Sequence, residues 1–387
     1  MENRKNSGGI LYKCILFLIK YAMRVLFRSD IETLKDIPQP FIILSNHSTD
    51  FDCAFIALAA QAPVSFVATE NILRMGIITR LAVKLFDPIV HYKGTMGSAT
   101  SKKIIRAMGS GRNVAMFPEG NRSFNGVTCP IPPATGKLAR MCNGTLVTYK
   151  LEGGYFSSPR WASGLRRGRI KGRIAGIYPP EALKAMSPDE IQKIIENDLH
   201  ADAYKEQREK RIPFRGKNRA EYLESTLFMC PVCDRIGSMR SHGNYLKCEC
   251  GFSAEYDEYG MLNSPQQSYT ITELDKKQRK RIEKLCKEAG KEILFEDNVF
   301  FQHISEKHES EKAVKSILRA YRDRLSAGDT VIPFEKITGI AVNQRNLLLI
   351  HTGDMPGHYE FTGEPSFSAL KYLYLYRTIC GSRNGLL

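Results

Sequence analysis

Residues 41–52 read FIILSNHSTDFD, an apolar run followed at once by a polar turn. The first five letters have the length and composition of a buried strand, and helix-spaced apolar residues begin at Phe51. His47 is therefore predicted to lie where a strand ends and a helix begins, at the mouth of an α/β sheet. Asp52 follows five positions later, so a turn into a helix can return its carboxylate to the imidazole.

The flanking sequence repeats this alternation of short apolar runs and helical patterns as far as about Pro180. The predicted strands are 41–45, 64–68, 88–91, 113–117, 145–151 and 169–177. The predicted helices are 51–61, 70–86, 98–108 and 135–142, followed by a charged helix over 187–211 that opens with Ser-Pro-Asp-Glu. Strands and helices in alternation predict an α/β layer fold.

The pairing of His47 with Asp52 is suited to general base catalysis. Asp52 can accept a hydrogen bond from one ring nitrogen and fix the tautomer, which leaves the other nitrogen free to remove a proton from an alcohol. No serine or cysteine nucleophile is needed when the substrate brings its own hydroxyl. Asp50 lies close by in sequence, and we interpret it as a capping or structural residue.

Two further segments end predicted strands with residues suited to a phosphate. Residues 117–123 read FPEGNRS and continue the strand NVAMF. Gly120 allows a close approach of the backbone to a ligand, and Arg122 offers a planar fork to a phosphate. Residues 90–94 read VHYKG and put Lys93 at another strand end. We therefore expect three strand ends to meet at one crevice.

These segments resemble the signatures of the PlsC-type glycerophospholipid acyltransferase family, His-x4-Asp and Phe-Pro-Glu-Gly-x-Arg-Ser, which occur here in order and about 70 residues apart. The resemblance covers roughly residues 1–210. It implies that His47 is the general base and that Asp52 orients it. It also implies a set of residues that bind the phosphorylated acceptor. These are Lys93, Glu119, Gly120, Arg122 and Ser123.

The sequence departs from the family at two places. Lys93 stands where the second signature usually has arginine, and a lysine binds phosphate as a point charge without a bidentate fork. The fourth signature would fall at Val147-Thr148-Tyr149 and lacks its proline.

The resemblance implies an acyltransferase that moves a fatty acyl group from a thioester, acyl-CoA or acyl carrier protein, to the free hydroxyl of 1-acylglycerol-3-phosphate. This reaction forms phosphatidic acid in phospholipid biosynthesis. Alternative acceptors are another lysophospholipid or glycerol-3-phosphate. Outside catalysis, the alternatives are a lipid-binding scaffold or a nucleic-acid-binding zinc protein. The hypothesis of a nucleic-acid-binding protein is disfavoured, because it does not explain the two paired signatures or the amino-terminal helix.

Residues 10–27 read ILYKCILFLIKYAMRVLF, an apolar helix with Lys13, Lys20 and Arg24 along one line. A helix lying in the membrane interface lets these cations reach anionic headgroups, and we predict this arrangement over a spanning helix or one packed on the protein core. The net charge of +15 attracts phosphate-rich or acidic partners, namely an anionic lipid surface, nucleic acid or an acidic carrier protein, and does not by itself distinguish them. We expect a peripheral or monotopic protein on the cytoplasmic face of the cell membrane.

Four of the ten cysteines fall within 21 residues. They form two short pairs, Cys230-Pro-Val-Cys233 and Cys248-Glu-Cys250, that can bracket a tetrahedral Zn²⁺. We predict a structural zinc site resembling a zinc ribbon, over free buried thiols or a redox pair, with His242 as an alternative ligand. Four protein ligands leave no open position, so no catalytic metal is expected.

The remaining sequence predicts a charged helix over 272–288, strand-like segments at 293–302, 331–342, 346–352 and 358–363, and a closing helix over about 366–378. This pattern faintly resembles a pleckstrin-homology-like or GRAM-like domain. The predicted organisation is a membrane-interface helix at 1–32, an acyltransferase domain at 33–215, a zinc-ribbon-like module at 225–256, and a helix plus mainly β domain at 270–387.

Residues 153–173 read GGYFSSPRWASGLRRGRIKGR and contain no acidic residue. Such a basic stretch suits lipid headgroups, the phosphates of coenzyme A or an acidic carrier protein. A solvated β-hairpin explains the pattern equally well.

Overall fold

The computed structural model describes residues 2–69, 87–91, 98–305 and 311–384. The chain divides into two compact units. The first comprises Met1–Pro159 and Leu165–Arg215, and the second comprises Arg160–Gly164 and Gly216–Leu387. The helix predicted over 70–86 lies outside the described residues. The finer division of the chain into four segments stays a prediction.

A seven-stranded sheet forms the centre of the first unit. Its strands are β1 (Asp30–Ile31), β2 (Phe41–Ser45), β3 (Val64–Thr69), β4 (Ile89–His91), β5 (Asn113–Met116), β6 (Thr145–Glu152) and β7 (Lys171–Tyr178). Their order across the sheet is β1-β7-β6-β2-β5-β3-β4. Strands β6, β2, β5, β3 and β4 run parallel, and β7 runs antiparallel to β6. The carboxyl ends of β2 and β5, where the two motifs begin, therefore lie side by side.

Helices cover both faces of this sheet. They are α1 (Glu2–Phe27), α2 (Asp52–Ala60), α3 (Ser98–Gly109), α4 (Ala134–Met141), α5 (Gly154–Ser157), α6 (Pro180–Ala185), α7 (Pro188–Leu199) and α8 (Ala203–Lys210). Ile43 of β2 joins the core formed with α1 and α2, whereas Ile42 and Leu44 join the core formed with α3, α4, α6 and α7. A strand buried on both faces is apolar throughout, as FIILS is. The predicted α/β layer fold is confirmed.

Helix α1 has two apolar faces. On one face, Tyr12, Leu16, Met23 and Phe27 are buried in the core of the first unit. The other face exposes large apolar side chains. These are Phe17, Leu18, Tyr21, Val25 and Leu26. Within the described ranges, we find no helix that combines the length and the apolarity needed to cross a bilayer.

The prediction of one helix over 187–211 is wrong, because the chain breaks between α7 and α8. The predicted start is confirmed, since Ser187 caps α7 in a reciprocal capping box with Glu190. The break arises because Ala201 donates its N–H to Thr128 Oγ1 at 2.8 Å, a contact from a distant loop. The Asp202 carboxylate then accepts from Tyr204 N and Lys205 N and starts α8 as a new helix.

The solvated β-hairpin proposed for residues 153–173 is also wrong. The stretch forms the short helix α5, passes through Arg160–Gly164 of the second unit, and enters β7 only at Lys171. Two of its arginines, Arg160 and Arg166, are buried. Arg160 uses its guanidinium to donate to the carbonyls of Val342 and Gln344 in the second unit. These arginines are therefore internal donors and not part of a solvated surface.

A small antiparallel sheet carries the cysteine pairs in the second unit. Its strands are β8 (Met239–His242), β9 (Tyr245–Cys248), β10 (Ser253–Tyr256), β11 (Leu262–Asn263) and β12 (Ser268–Tyr269). Each strand pairs with the next along the chain. The core of this module includes Leu246 and Tyr256, and the ring of Trp161 meets Tyr256 edge-on at 5.4 Å between centroids.

A second antiparallel sheet follows helix α9 (Ile271–Glu288). Its strands are β13 (Phe295–Ile304), β14 (Val314–Ala320), β15 (Arg324–Ala327), β16 (Thr330–Pro333), β17 (Ile337–Asn343), β18 (Leu347–Thr352) and β19 (Met355–Gly363), and helix α10 (Ala369–Asn384) closes the chain. The mainly β character and the closing helix are confirmed. Strands β14 and β15 were not predicted, because charged residues interrupt their short apolar runs. The likeness to a pleckstrin-homology or GRAM domain stays a prediction.

Candidate active site

His47 and Asp52 meet at the carboxyl end of β2. The Asp52 Oδ2 atom lies 2.8 Å from His47 Nδ1. The side chain of His47 is 22% exposed, whereas that of Asp52 is fully buried. The imidazole stacks on Phe117, with ring centroids 4.3 Å apart. This geometry orients one face and one nitrogen of the ring, while the side chain stays partly exposed.

The backbone of the turn holds the Asp52 carboxylate in place. Oδ2 also accepts hydrogen bonds from Ser48 N at 2.6 Å and Thr49 N at 2.9 Å. Asp52 is the first residue of α2, so its charge is also favoured by the helix dipole. With several donors converging on one oxygen, the carboxylate is fixed before any substrate arrives. The imidazole consequently has a rigid partner.

The second motif is hydrogen-bonded to the backbone of His47. Glu119 Oε1 accepts from His47 N at 2.7 Å, and Ser123 N donates to the His47 carbonyl at 3.0 Å. The second carboxylate oxygen of Glu119 accepts from Cys129 N. Both sides of the His47 peptide are thus held by a segment that is distant in sequence. The structure brings the two motifs together as expected.

Glu119 and Ser123, both predicted to bind the acceptor, make internal contacts. Glu119 is buried, and burial raises its pKa to about 8, although the two backbone N–H groups that it accepts from act in the opposite direction. The Ser123 hydroxyl donates to the carbonyl of Val127 and accepts from Gly126 N. These contacts position the loop. Direct binding of substrate by either residue stays a prediction.

Gly120 has a left-handed backbone with φ of +65°, and no atom of the described residues lies within 4 Å of the place where a Cβ would stand. The space at this turn is therefore open, and a side chain here would be strained by the backbone alone. This observation agrees with the expectation that a ligand approaches the backbone at Gly120.

Arg122 points back toward the first motif. Its Nη1 lies 3.1 Å from Asp50 Oδ2 and donates to the Ser158 carbonyl at 3.4 Å. The arginine side chain is 12% exposed, whereas that of Asp50 is 71% exposed. Burial lowers the pKa of Arg122, and Asp50 and Asp52 partly compensate. In the described part of the chain, the only ion pair of this guanidinium is the one with the exposed Asp50. Such a cation beside His47 and Asp52 is suited to an anionic group of a substrate, which would have to displace Asp50.

Lys93, predicted as a further phosphate ligand, lies outside the described residues. Strand β4, which ends at His91 two positions before it, is the edge strand of the sheet. The fourth signature position, Val147-Thr148-Tyr149, lies within β6 beside β2.

Two positions that support the site were not predicted from the sequence. Asn46 donates to and accepts from the backbone of Leu151, which ties the end of β2 to β6. Gly154 packs against the turn so closely that a Cβ would lie 2.2 Å from Ser48 Oγ and 2.6 Å from Thr49 Cγ2. The double glycine 153–154 after a strand was the available signal for such a close approach.

The four cysteines of the second unit converge. Their sulfur atoms all lie within 4.8 Å of one another, with Cys230 and Cys250 at 3.6 Å and Cys233 and Cys248 at 3.8 Å. A tetrahedral ion with bonds of about 2.3 Å to sulfur requires sulfur separations of about 3.8 Å. The donor set therefore fits one thiophilic metal ion. His242 does not belong to this group in the described part of the chain.

Two comparisons with known proteins found a match. Residues 28–152 match the protein family model described as Acyltransferase. Among solved structures, the chain is similar to the crystal structure of the 1-acyl-sn-glycerophosphate (LPA) acyltransferase PlsC from Thermotoga maritima. That match has 19% identity and a TM-score of 0.44, and it covers 51% of this chain and 82% of that one. The matched family segment contains His47, Asp52 and all of FPEGNRS.

Proposed function

Because residues 28–152 are an acyltransferase domain, we propose that the protein transfers a fatty acyl group from an acyl thioester to the free hydroxyl of a lysophospholipid. The first candidate acceptor is 1-acylglycerol-3-phosphate, and the product is then phosphatidic acid. The observation that carries this proposal is the contact of 2.8 Å between His47 Nδ1 and the fully buried Asp52 carboxylate. It supports a general base that acts directly on an alcohol.

The proposed reaction needs no covalent intermediate on the protein. His47 Nε2 accepts the hydroxyl proton while the acceptor oxygen forms a bond to the thioester carbonyl carbon. The carbon–sulfur bond then breaks, and the imidazolium returns the proton to the departing thiolate. Asp52 stabilises the imidazolium between these steps, because its carboxylate accepts a hydrogen bond from Nδ1–H.

The phosphate of the acceptor is proposed to bind Arg122. This guanidinium is largely buried, and its Asp50 partner is exposed, so an incoming dianion can replace that carboxylate. Gly120 leaves open space at the same turn. A phosphate anchored here would hold the glycerol hydroxyl near His47, since Asp50 and His47 belong to one turn. Lys93 remains a candidate for a second cation.

We propose that the protein acts at the membrane surface. The exposed apolar face of α1 would insert among acyl chains, and Lys13, Lys20 and Arg24, all exposed, would contact anionic headgroups. An interfacial helix presents the domain to a lysolipid that partitions into the bilayer. We propose the cytoplasmic face, because acyl-CoA and acyl carrier protein are the two candidate donors.

The metal proposed for the four cysteines is zinc with a structural role. Thiolate ligands favour Zn²⁺, and a complete set of four leaves no place for a substrate. The ion would stabilise the small sheet β8–β12, which is too small to depend on its own core.

The proposal is tested with purified full-length protein, both thioester donors and a panel of lysolipids and glycerol-3-phosphate. We expect turnover with a phosphorylated acceptor and a loss of about 10²- to 10⁴-fold in His47→Ala, with unchanged circular dichroism. His200→Ala, outside the site, is the matched control. Unchanged turnover in His47→Ala would refute the mechanism.

The membrane contact is tested by flotation with anionic vesicles. Leu18→Ser should weaken binding, because Leu18 is 65% exposed on the apolar face of α1. Met141→Ser, with a side chain 53% exposed elsewhere, should not. Equal effects of the two substitutions would contradict the interfacial role of the helix.

A further inference from the structure

An open depression of about 430 Å³ lies on the first unit, where helix α1 ends. It is lined by three arginines and two smaller residues, Arg24, Arg28, Ser29, Asp30 and Arg169. Arg24 belongs to the last turn of α1, and Arg169 comes from the segment just before β7. The proposed acyl transfer uses none of these side chains for catalysis or for binding the acceptor.

The positive charge of this depression exceeds the negative charge of its lining. The acid among its described lining residues is Asp30, whose Oδ2 lies 2.6 Å from Arg173 Nη2 and 3.4 Å from Arg169 Nη2. The hydrogen bond from Arg173 holds the pKa of Asp30 below its usual range, so the carboxylate is already engaged. Arg24 and Arg28 are exposed and form no ion pair within the described ranges. These two guanidinium groups are therefore available to an anion.

Backbone hydrogen bonds already cap the end of α1. Cations near a helix carboxyl terminus often bond to its last carbonyls. Here the Arg24 carbonyl accepts from Arg28 N at 3.1 Å, and the Phe27 carbonyl accepts from Ile170 N at 3.3 Å. Capping therefore does not require the guanidinium donors. A guanidinium is a planar fork that matches the geometry of a phosphate, which makes phosphate the favoured ligand chemistry.

The depression adjoins the apolar face that α1 exposes. Val25 and Leu26 are 50% and 41% exposed, and they lie between Arg24 and Arg28 in the chain. A helix in the membrane interface sinks such apolar side chains among acyl chains and keeps neighbouring cations at the level of the headgroups. With α1 in the interface, a lipid headgroup is the phosphate that reaches these arginines.

We propose that this depression binds the headgroup of an anionic phospholipid and prefers a headgroup that ends in a phosphate monoester. The proposal rests on the interfacial position of α1 proposed above. A phosphate monoester carries about two negative charges near neutral pH and has three terminal oxygens, so it can accept from several guanidinium groups at once. A phosphodiester headgroup has less charge and fewer such oxygens. Phosphatidic acid, the product of the proposed reaction, has the preferred headgroup.

Flotation of the full-length protein with two kinds of vesicle tests this preference. Phosphatidylcholine vesicles contain either phosphatidic acid or phosphatidylglycerol, at matched surface charge. Wild type should bind the phosphatidic acid vesicles about five- to tenfold more tightly. Arg28→Gln and Arg169→Gln should each abolish the preference. Lys20→Gln removes a charge from α1 outside the depression, so it should weaken binding to both vesicles equally and keep the preference.

Two results would overturn the proposal. Equal binding of wild type to the two vesicles would mean that only diffuse attraction acts, and so would a loss of preference in Lys20→Gln as large as in Arg28→Gln. Calorimetry with inorganic phosphate distinguishes the source of the ligand. Saturable binding that Arg28→Gln weakens, without any preference between vesicles, would assign the site to a free phosphate and refute the lipid headgroup.

The failure of this proposal is distinguishable from the failure of the proposed function. His47→Ala should keep the preference for phosphatidic acid, because vesicle binding does not require turnover. Absence of binding to both vesicles would contradict the interfacial helix. Calorimetry with soluble dihexanoyl phosphatidic acid then decides, because binding that Arg28→Gln weakens would support the site, whereas no binding would overturn it.

Discussion

His47 is held by residues more than 70 positions away in the chain, whereas the four cysteines come from 21 consecutive residues. The first site exists only when β2 and β5 lie side by side in the sheet. The second needs two short turns and an ion that draws the sulfur atoms together. The same chain thus contains one site fixed by tertiary hydrogen bonds and one fixed by local geometry and a metal.

Removal of the metal should give the largest effect and should separate the two sites. Apparent binding free energies for structural Zn²⁺ are about 10 kcal/mol or more, so Cys230→Ser combined with Cys248→Ser should unfold the sheet β8–β12. Metal content and hydrogen exchange in that sheet are the measurements. Cys14→Ser, an exposed cysteine on α1, is the control. One zinc per chain in the double variant would contradict the assignment.

Glu119→Gln should give the largest effect among substitutions around the site that leave both His47 and Asp52 unchanged. Its amide nitrogen would face one of the two backbone N–H groups that Glu119 now accepts from, and an unsatisfied buried donor costs about 1–3 kcal/mol. Above about pH 8, where the carboxyl is ionised and both of its oxygens accept, we expect the displaced backbone at His47 to lower kcat by about ten- to hundredfold. Glu181→Gln, exposed on α6, should be neutral.

The pH dependence of stability provides a check on Glu119. Burial raises its pKa from 4.5 to about 8, so between these values the folded protein holds a proton that the unfolded chain releases. The free energy of unfolding should therefore decrease as the pH rises through this window. In Glu119→Gln this dependence should weaken. An identical slope in both proteins would show that the carboxyl is already ionised.

Gly154→Ala should lower kcat by about tenfold, although residue 154 need not contact the substrate. A Cβ at this position would displace Ser48 and Thr49. The backbone N–H groups of these two residues hold the Asp52 carboxylate. Gly109→Ala is the matched control, since no atom lies within 4 Å of its Cβ position. Equal activity of the two variants would mean that the turn adapts freely and that the tertiary site is less rigid than we infer.

Asp50→Asn should give the smallest effect, and in the opposite direction. Asp50 competes with an incoming phosphate for Arg122, so its neutralisation should lower KM for 1-acylglycerol-3-phosphate about two- to threefold. KM for an acceptor without phosphate, such as a monoacylglycerol, should stay constant. A rise in KM for the phosphorylated acceptor would show that Asp50 assists binding.

The features that could be predicted from the sequence are those whose pattern lies within a few neighbouring residues. The strand FIILS, the capping box at Ser187 and the two cysteine pairs are each visible within a few residues. Asn46 and Gly154 were missed because their roles depend on contacts with residues far away in the chain, Leu151 for Asn46 and Ser48 for Gly154. Such contacts produce no periodic pattern in the sequence.

The wrong predictions also result from contacts between residues that are far apart in the chain. The helix over 187–211 has a continuous amphipathic pattern, and hydrogen bonds with a distant loop interrupt it, among them the one that Ala201 N donates to Thr128 Oγ1. Arg160 and Arg166 have the composition of a solvated surface, yet tertiary structure buries them. Substrate binding by Glu119 stays a prediction, and the sequence did not show that its oxygens accept backbone N–H groups that only folding brings near.

A double-mutant cycle of Asp52→Asn with His47→Ala, read as the single-turnover rate of acyl transfer, tests the coupled pair most directly. Asp52→Asn should cost about 10²- to 10⁴-fold in the wild-type background. In the His47→Ala background it should cost less than about twofold, because the carboxylate then has no imidazole to orient. An equal loss in both backgrounds would show that Asp52 acts independently of His47 and would contradict the account.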